Sequence, residues 1–339
     1  MKKKRFSYIY LLIILLVICI NDLQASRRVI IATIGGGGGT INAGDNRDPQ
    51  KLVVQMIDFW KEELNKVLPF QPDLILLTEA CDRPGGLNST EEFNYYRNRR
   101  NQVSDFFASV AKTNHCYIAF GMKREENGSW HNSCILLDRD GKTAGIYDKN
   151  FPTIDEMNLG IKAGIETPVF HCDFGSVACV ICFDLNFNEL RERYAILKPD
   201  ILLFPSMYHG GLEQAKWAYD CRSFFVCSYG FLTGPSEIRN PLGEVVASST
   251  NYYNYAIATV NLDRKLVHLD YNWEKLIALK KKYGKEVTIT DPGKLGAVMI
   301  TSEKNDMSVD EMIKEFNIEL LDNYLSRSRQ SRLKQLDSK

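Results

Sequence analysis

Gly175-Ser176-Val177-Ala178-Cys179-Val180-Ile181-Cys182-Phe183-Asp184-Leu185-Asn186-Phe187-Asn188-Glu189 is the stretch that decides how the rest of the chain is read. A turn glycine opens it. Residues 177–181 are an unbroken apolar run rich in β-branched side chains, which predicts a strand buried on both faces. Beyond Cys182 the chain turns polar and helical. Ligands and reacting groups collect where such strands end, so Cys182 stands where a nucleophile is useful. A core thiol is the plain alternative for any of the nine cysteines, because free cysteine packs as a small hydrophobe. Only partners from elsewhere in the sequence can promote Cys182 above that alternative.

Working outward, apolar strands alternate with amphipathic helices. Strands are predicted at residues 29–34, 74–78, 116–122, 132–138, 142–149, 200–205, 224–229 and 255–262. Helices are predicted at 48–68, at 191–198 and 212–222, and from the capping box Ser89-Thr90-Glu91-Glu92 continuously to Lys112. Asp140-Gly141 turns the strand at 132–138 into the one at 142–149, and Pro241-Leu242-Gly243 turns between two further strands. This alternation, interrupted by hairpins, predicts a layered α/β sandwich with mixed sheets. After His268 the character changes. A basic helix at 272–283, a strand-and-turn piece at 287–301, a helix at 309–325 and a charged end read as an oligomer arm or a flap over the site.

Three chemically distinct side chains fall at strand ends. Glu79 ends one strand, Lys149 another, and Cys182 the run quoted above. A carboxylate, an ammonium and a thiol on one rim suit acyl transfer. The carboxylate takes the proton, since the thiolate is the attacking species. The ammonium and the N–H of Phe183 would hold the oxyanion; a lost oxyanion donor typically costs about 3–4 kcal/mol of barrier. Taken singly, each has a bland role: Glu79 in a salt bridge, Lys149 at a solvated strand end, Cys182 in the core.

The order and context of these residues resemble the nitrilase superfamily of carbon–nitrogen hydrolases over residues 29–263. Tyr147-Asp148-Lys149-Asn150-Phe151-Pro152 is similar to the family's lysine motif. Ile181-Cys182-Phe183-Asp184 with Phe187 and Glu189 is similar to its nucleophile elbow. Trp217, Arg222, Gly234-Pro235-Ser236 and Pro241-Leu242-Gly243 match later landmarks. Asn188 stands where a proline is usual, and Thr78-Glu79-Ala80-Cys81 departs from the commoner Pro-Glu pair, which leaves the subfamily open. The resemblance implies an α-β-β-α sandwich, homodimers or larger assemblies, no metal or organic cofactor, and a Glu79-Lys149-Cys182 mechanism. It further implies that Glu156, the family's second glutamate, orients Lys149 or the substrate. The implied substrate is a small-molecule amide; a nitrile or a carbamoyl compound is the alternative chemistry. An N-acyltransferase that resolves the thioester with an amine, and an idle binding protein on the same fold, are the other functions considered.

Other features bound the reading. Hydrophobic content of 45% and charged content of 25% are ordinary for a globular chain, and 42 basic residues balance 42 acidic ones. That balance, with no nucleic-acid-binding motif, speaks against a polyanion partner. Residues 1–5 are basic, 8–20 apolar, and a small residue, Ala25, precedes a plausible cleavage point, the layout of a secretory signal peptide. Export to the periplasm or beyond is expected, the domain then running over residues 26–268 and the extension over 269–339. An uncleaved apolar segment would instead act as a membrane anchor. Gly35 to Gly39 lacks the Gly-Lys-Ser/Thr ending of a phosphate loop. Cys179 and Cys182 form a C-x-x-C, but residues three apart in a strand face opposite ways and no second pair lies nearby. The eight cysteines after Ala25 do not demand a disulfide framework. Tyr208 and His209, after the strand ending at Pro205, are candidates for lining the pocket. Asn88-Ser89-Thr90 and Asn127-Gly128-Ser129 are glycosylation sequons.

Overall fold

Two six-stranded sheets form the larger of two compact units, residues 29–260 of the computed structural model. The structure describes residues 27–45 and 47–337, so the segment read as a signal peptide lies outside them. The elements run β1 (Arg28–Ile34), α1 (Pro49–Asn65), β2 (Leu74–Leu76), α2 (Ser89–Arg99), α3 (Gln102–Asn114), β3 (Tyr117–Glu126), β4 (Ser129–Leu137), β5 (Thr143–Asp148) and α4 (Ile154–Asn158). They continue with β6 (Phe170–Cys172), β7 (Gly175–Cys179), α5 (Asn188–Leu197), β8 (Ile201–Ser206), α6 (Leu212–Cys221), β9 (Phe224–Tyr229), β10 (Glu237–Arg239), β11 (Val245–Ser248) and β12 (Tyr255–Asn261).

The strand order is β12-β1-β2-β3-β4-β5 in one sheet and β11-β10-β9-β8-β7-β6 in the other. The β1–β2, β2–β3, β7–β8 and β8–β9 pairs are parallel and need long crossovers; helices lie in all four connections. The hairpin strands are antiparallel. On the first sheet, Val53, Met56 and Trp60 of α1 and Phe107 of α3 pack over Ile75, Ile118 and Phe120. On the second, Leu190 and Tyr194 of α5 and Trp217 of α6 pack over Ala178, Leu202 and Phe225. The sheets' other faces meet each other: Thr33 Oγ1 donates to Cys227 O at 2.8 Å and Ser228 Oγ to Ile34 O at 2.6 Å. The result is the expected α-β-β-α sandwich, with helices covering the outward faces as a doubly buried sheet requires.

Several local expectations are corrected. Asn88, not Ser89, caps α2, its Oδ1 accepting from Glu91 N at 3.1 Å while Glu91 returns a bond to Asn88 N. The continuous helix to Lys112 breaks at Arg100, whose φ is +48°. Arg99 there sends its guanidinium inward to the buried Asp82 carboxylate and to Lys123 O, a pull that helical periodicity does not register. Asn127-Gly128 is the turn of the β3–β4 hairpin, both residues at positive φ, where Asn-Gly is the favoured pair. The β7 ladder ends at Cys179, so Cys182 opens a short 3₁₀ turn (Cys182–Asn186). All eight cysteines among the described residues are free.

The second unit contains β13 (Arg264–His268), α7 (Trp273–Tyr283), β14 (Val287–Thr290), β15 (Ala297–Ser302), α8 (Val309–Glu315) and α9 (Leu321–Asp337). Its antiparallel sheet, ordered β13-β15-β14, carries a core of its own that includes Val267, Leu279, Ile300 and Met312. The unit boundary at residue 261 takes in β13, ahead of the change of character read at His268. The helix expected at 309–325 is two helices, interrupted at Asn317 with φ +49°, and the charged end is helical through Asp337. Among the described residues no helix is long and apolar enough to cross a membrane.

Candidate active site

Glu79 lies three residues past β2, where the chain still hangs on β3. Leu77 N donates to Ala119 O, Gly121 N to Thr78 O, and Cys81 N to Gly121 O. A Cβ on Gly121 would stand 2.6 Å from Glu79 Cα, so glycine there lets the carboxylate's backbone press onto the strand. The indole of Trp60 donates to Cys81 O at 2.9 Å and fixes the far side of the same loop from α1. Glu79 is 4% exposed. Its Oε1 accepts from Lys149 Nζ at 2.9 Å and Asn132 Nδ2 at 2.8 Å, and its Oε2 from Met207 N at 3.0 Å.

Lys149 follows β5, its N–H bonded to Asn132 O at 2.8 Å. Its Nζ is shared between Glu79 and Glu156 Oε2, the latter at 2.8 Å. Glu156 is placed by helix capping. Thr153 caps α4 and Glu156 is its N3 residue, so the carboxylate turns back to take Thr153 N at 2.9 Å. Its other oxygen accepts from Lys123 Nζ and from Asn132 Nδ2 at 2.7 Å. Two acids and two ammoniums are thus interleaved, with Asn132 bridging both acids. Charges this buried persist only when paired and hydrogen-bonded.

Cys182 has φ +47°. A non-glycine residue in that region costs roughly 1–3 kcal/mol and is held there by its surroundings. Asp184 does the holding. Fully buried, it accepts from Ile181 N at 2.9 Å, Phe151 N at 2.8 Å and Tyr147 OH at 2.7 Å. The thiol turn after β7 and the segment around Lys149 after β5 are therefore anchored to one carboxylate. Burial pushes Asp184 up to about 6, against those three donors.

Glu79, Lys149, Glu156 and Cys182 line one cavity of about 250 Å³, with Lys123, Arg83, Glu92 and Phe231 also on its wall. Burial, then the Glu79 carboxylate, pushes the Cys182 thiol up to about 12, against Lys149. Burial pushes Glu79 up too, but Lys149 and Lys123 outweigh it and hold the carboxyl below its ordinary value. Glu156 is likewise raised by burial and pulled well down by Lys123 and Lys149. Burial disfavours the Lys149 ammonium; Glu79, the Cys182 sulfur and Glu156 more than compensate and hold it well above the ordinary lysine range. Burial takes Lys123 below the ordinary lysine value, against the pull of Glu156. At neutral pH Cys182 is therefore a thiol, Glu79 and Glu156 are carboxylates and Lys149 is an ammonium.

The structure brings together the four residues singled out for chemistry. The three assigned to substrate binding fare differently. The Phe183 ring is edge-on to Phe187 and is not on the cavity wall, although its N–H is in the first turn of a 3₁₀ segment, where amides have no acceptor inside the turn. Tyr208 and His209 are not on that wall either. The His209 ring is engaged elsewhere, its Nδ1 accepting from Gly211 N at 3.2 Å and its Nε2 lying 3.3 Å from Glu237 Oε2. Sequence reasoning misses Lys123 and Asn132. A signal exists for Lys123: Ile118, Phe120 and Met122 belong to the outer core, so Lys123 alternates onto the inner face with Ala119 and Gly121.

The mixed α/β sandwich thus carries a cysteine at positive φ, a buried acid and a buried lysine on one cavity. A family model described as carbon-nitrogen hydrolase matches residues 46–269, and the chain belongs to that family. It is similar to the omega-amidase of Homo sapiens, 22% identical over 223 residues that cover 62% of this chain and 80% of that protein. It is also similar to a probable nitrilase of Schizosaccharomyces pombe, 30% identical over 99 residues, and there spans only 36% of the relative's length and 28% of its own. Among solved structures, an amidase from Nesterenkonia sp. shares the fold with a TM-score of 0.57 at 15% identity, over 76% of this chain and 97% of that one. The protein is a carbon–nitrogen hydrolase.

Proposed function

We propose that the chain cleaves the C–N bond of a small-molecule amide through a thioester on Cys182. The Cys182 sulfur attacks the carbonyl carbon as the thiol proton passes to Glu79. The thiol is protonated and Glu79 ionised at rest, so the transfer accompanies the attack. Lys149 Nζ and the Phe183 N–H stabilise the oxyanion, and Glu79 returns the proton to the departing nitrogen as the C–N bond breaks. Water then attacks the thioester, giving its proton by way of Glu79 to the sulfur and releasing the carboxylic acid. Glu156, fixed by Thr153 and Lys123, positions Lys149. The observation that carries this reading is the Glu79 Oε1 to Lys149 Nζ contact of 2.9 Å on the same cavity wall as a cysteine held at positive φ. The basic and apolar layout of residues 1–20 supports export of this hydrolase; a mature N-terminus at Ser26 is expected, and an intact Met1 on the exported protein would contradict it.

The test is ammonia or amine release from ω-amides, aliphatic amides, N-carbamoyl compounds and nitriles by wild type and Cys182→Ala. Amide turnover by the wild type and none by the variant is expected. Hydrolysis that survives Cys182→Ala would overturn the mechanism.

A further inference from the structure

The cavity around Cys182, at about 250 Å³, is smaller than the roughly 300–1,000 Å³ of sites that enclose drug-sized ligands. It accommodates a reacting amide and a short acyl group. Phe231, half exposed after β9, also lines a second and larger cleft of about 720 Å³. Gly36, Leu232, Thr233, Ser249 and Asn254 are on the wall of that cleft. We propose that this cleft is the leaving-group subsite, which takes the uncharged N-substituent of a secondary amide whose carbonyl faces Cys182. The proposal rests on the amidase reading above.

The cleft adjoins the proton donor. Glu79 Oε2 accepts from Met207 N, and a Cβ on Gly230 would stand 2.4 Å from Met207 Sδ and 3.0 Å from Thr78 Oγ1. Gly230 thus packs between Met207 and the residue before Glu79, and Phe231 follows directly. From the other side, a Cβ on Gly37 would meet Thr78 Cγ2 at 2.6 Å, and one on Gly36 would meet Leu232 Cδ2 at 3.0 Å. The glycine run that matches no phosphate loop therefore has a physical use: it lets the loop after β1 close on Thr78 while forming one wall of the cleft. Glu79 hands its proton to the departing nitrogen, so the amine side of the substrate points toward this carboxylate. A substituent on that nitrogen has a path along Phe231 into the cleft.

The lining settles the charge of the substituent. The charged residues among the described lining are Glu63 and Lys66, and they are 2.6 Å apart as an ion pair. Asn254 is drawn into the same pair, its Nδ2 donating to Glu63 Oε2 at 2.6 Å. No charge is left over for an ionic group. Leu232, 72% exposed, and the half-exposed Phe231 offer apolar surface beside the Thr233 and Ser249 hydroxyls. A neutral alkyl or hydroxyalkyl group fits; an ammonium or a carboxylate would enter without a counter-charge.

The test uses full-length protein and three haloacetamides that differ only at nitrogen: iodoacetamide, N-butyl-iodoacetamide and N-(3-aminopropyl)-iodoacetamide. In each, the Cys182 sulfur displaces iodide to form a thioether, followed by mass spectrometry with Cys182→Ala as the blank, and rates are normalised to free cysteine. The N-butyl reagent should label wild type at least fivefold faster than iodoacetamide. Leu232→Glu, an exposed substitution, should cut that advantage to under twofold and raise the rate of the cationic reagent at least fivefold. Equal normalised rates in wild type, or a butyl advantage that persists in Leu232→Glu with no gain for the cationic reagent, overturns the subsite and leaves the amidase reading standing. Failure of every reagent to label Cys182 overturns both.

Discussion

Replacing Lys123 with methionine probes the charge balance behind the candidate base. Lys123 Nζ binds Glu156 Oε1, which also accepts from Asn132 Nδ2 at 2.7 Å, and Asn132 Nδ2 reaches Glu79 Oε1 at 2.8 Å. These three links, folded back on one another, set the ammonium on the order of 6 Å from the Glu79 carboxylate, where Coulomb's law with an effective dielectric near 20 gives about 2–3 kcal/mol. Losing that charge should raise Glu79. The sign follows from the site. Glu79 is held below its ordinary value by Lys149 and Lys123 against burial, so removing one cation moves it up. The acid limb of kcat/KM against pH reports the free enzyme's base and should move to higher pH in Lys123→Met. The variant also leaves Glu156 with one cation. A broken buried pair costs about 3–5 kcal/mol; since Lys149 still pairs with Glu156, the low end applies, a fall in Tm of roughly 6–12 °C at 2–4 °C per kcal/mol. An acid limb that stays in place while Tm falls would show that Lys123 is only a structural cation and that Glu79 does not feel it.

Two further outcomes follow from the same geometry. If Glu79 takes the thiol proton during attack, alkylation of Cys182 by iodoacetamide should be nearly flat between pH 6 and 9 in wild type. In Glu79→Gln it should climb about tenfold per pH unit toward the thiol's own titration, which burial still raises but which loses the upward push of the Glu79 carboxylate; identical profiles would remove Glu79 from the reaction. Asp184→Ala deletes three hydrogen bonds to one buried carboxylate. At about 1.5 kcal/mol each for charge-assisted bonds, urea unfolding should show a loss of roughly 4.5 kcal/mol. A loss under about 1 kcal/mol would mean that the turn holds itself.

The candidate reacting groups are legible in the chain because apolar runs mark strand ends, and Glu79, Lys149 and Cys182 all follow such runs. The layered fold is legible for the same reason, since period-two and helical stripes survive without tertiary help. What is not legible arises from contacts between elements. Lys123 and Asn132 acquire meaning only once the β3–β4 hairpin sets them beside Glu156. The helix break at Arg100 follows from a buried ion pair to Asp82, and nothing local marks it. Glu156 enters the reading through family likeness, although Thr153-Ile154-Asp155-Glu156 carries an independent capping-box signal. The last 79 residues, 261–339, look like an appendage in linear order because their strands pair only among themselves.

Asp184 ties the two layers together at the rim that carries the site, in addition to the hydrogen bonds between their inner faces. Lys149 extends from a strand of one sheet and Cys182 from a strand of the other, and the Asp184 carboxylate grips both backbones. Sliding of one layer over the other would have to carry both groups along or break the clasp. The spacing between sulfur and ammonium is thereby insulated from breathing of the sandwich.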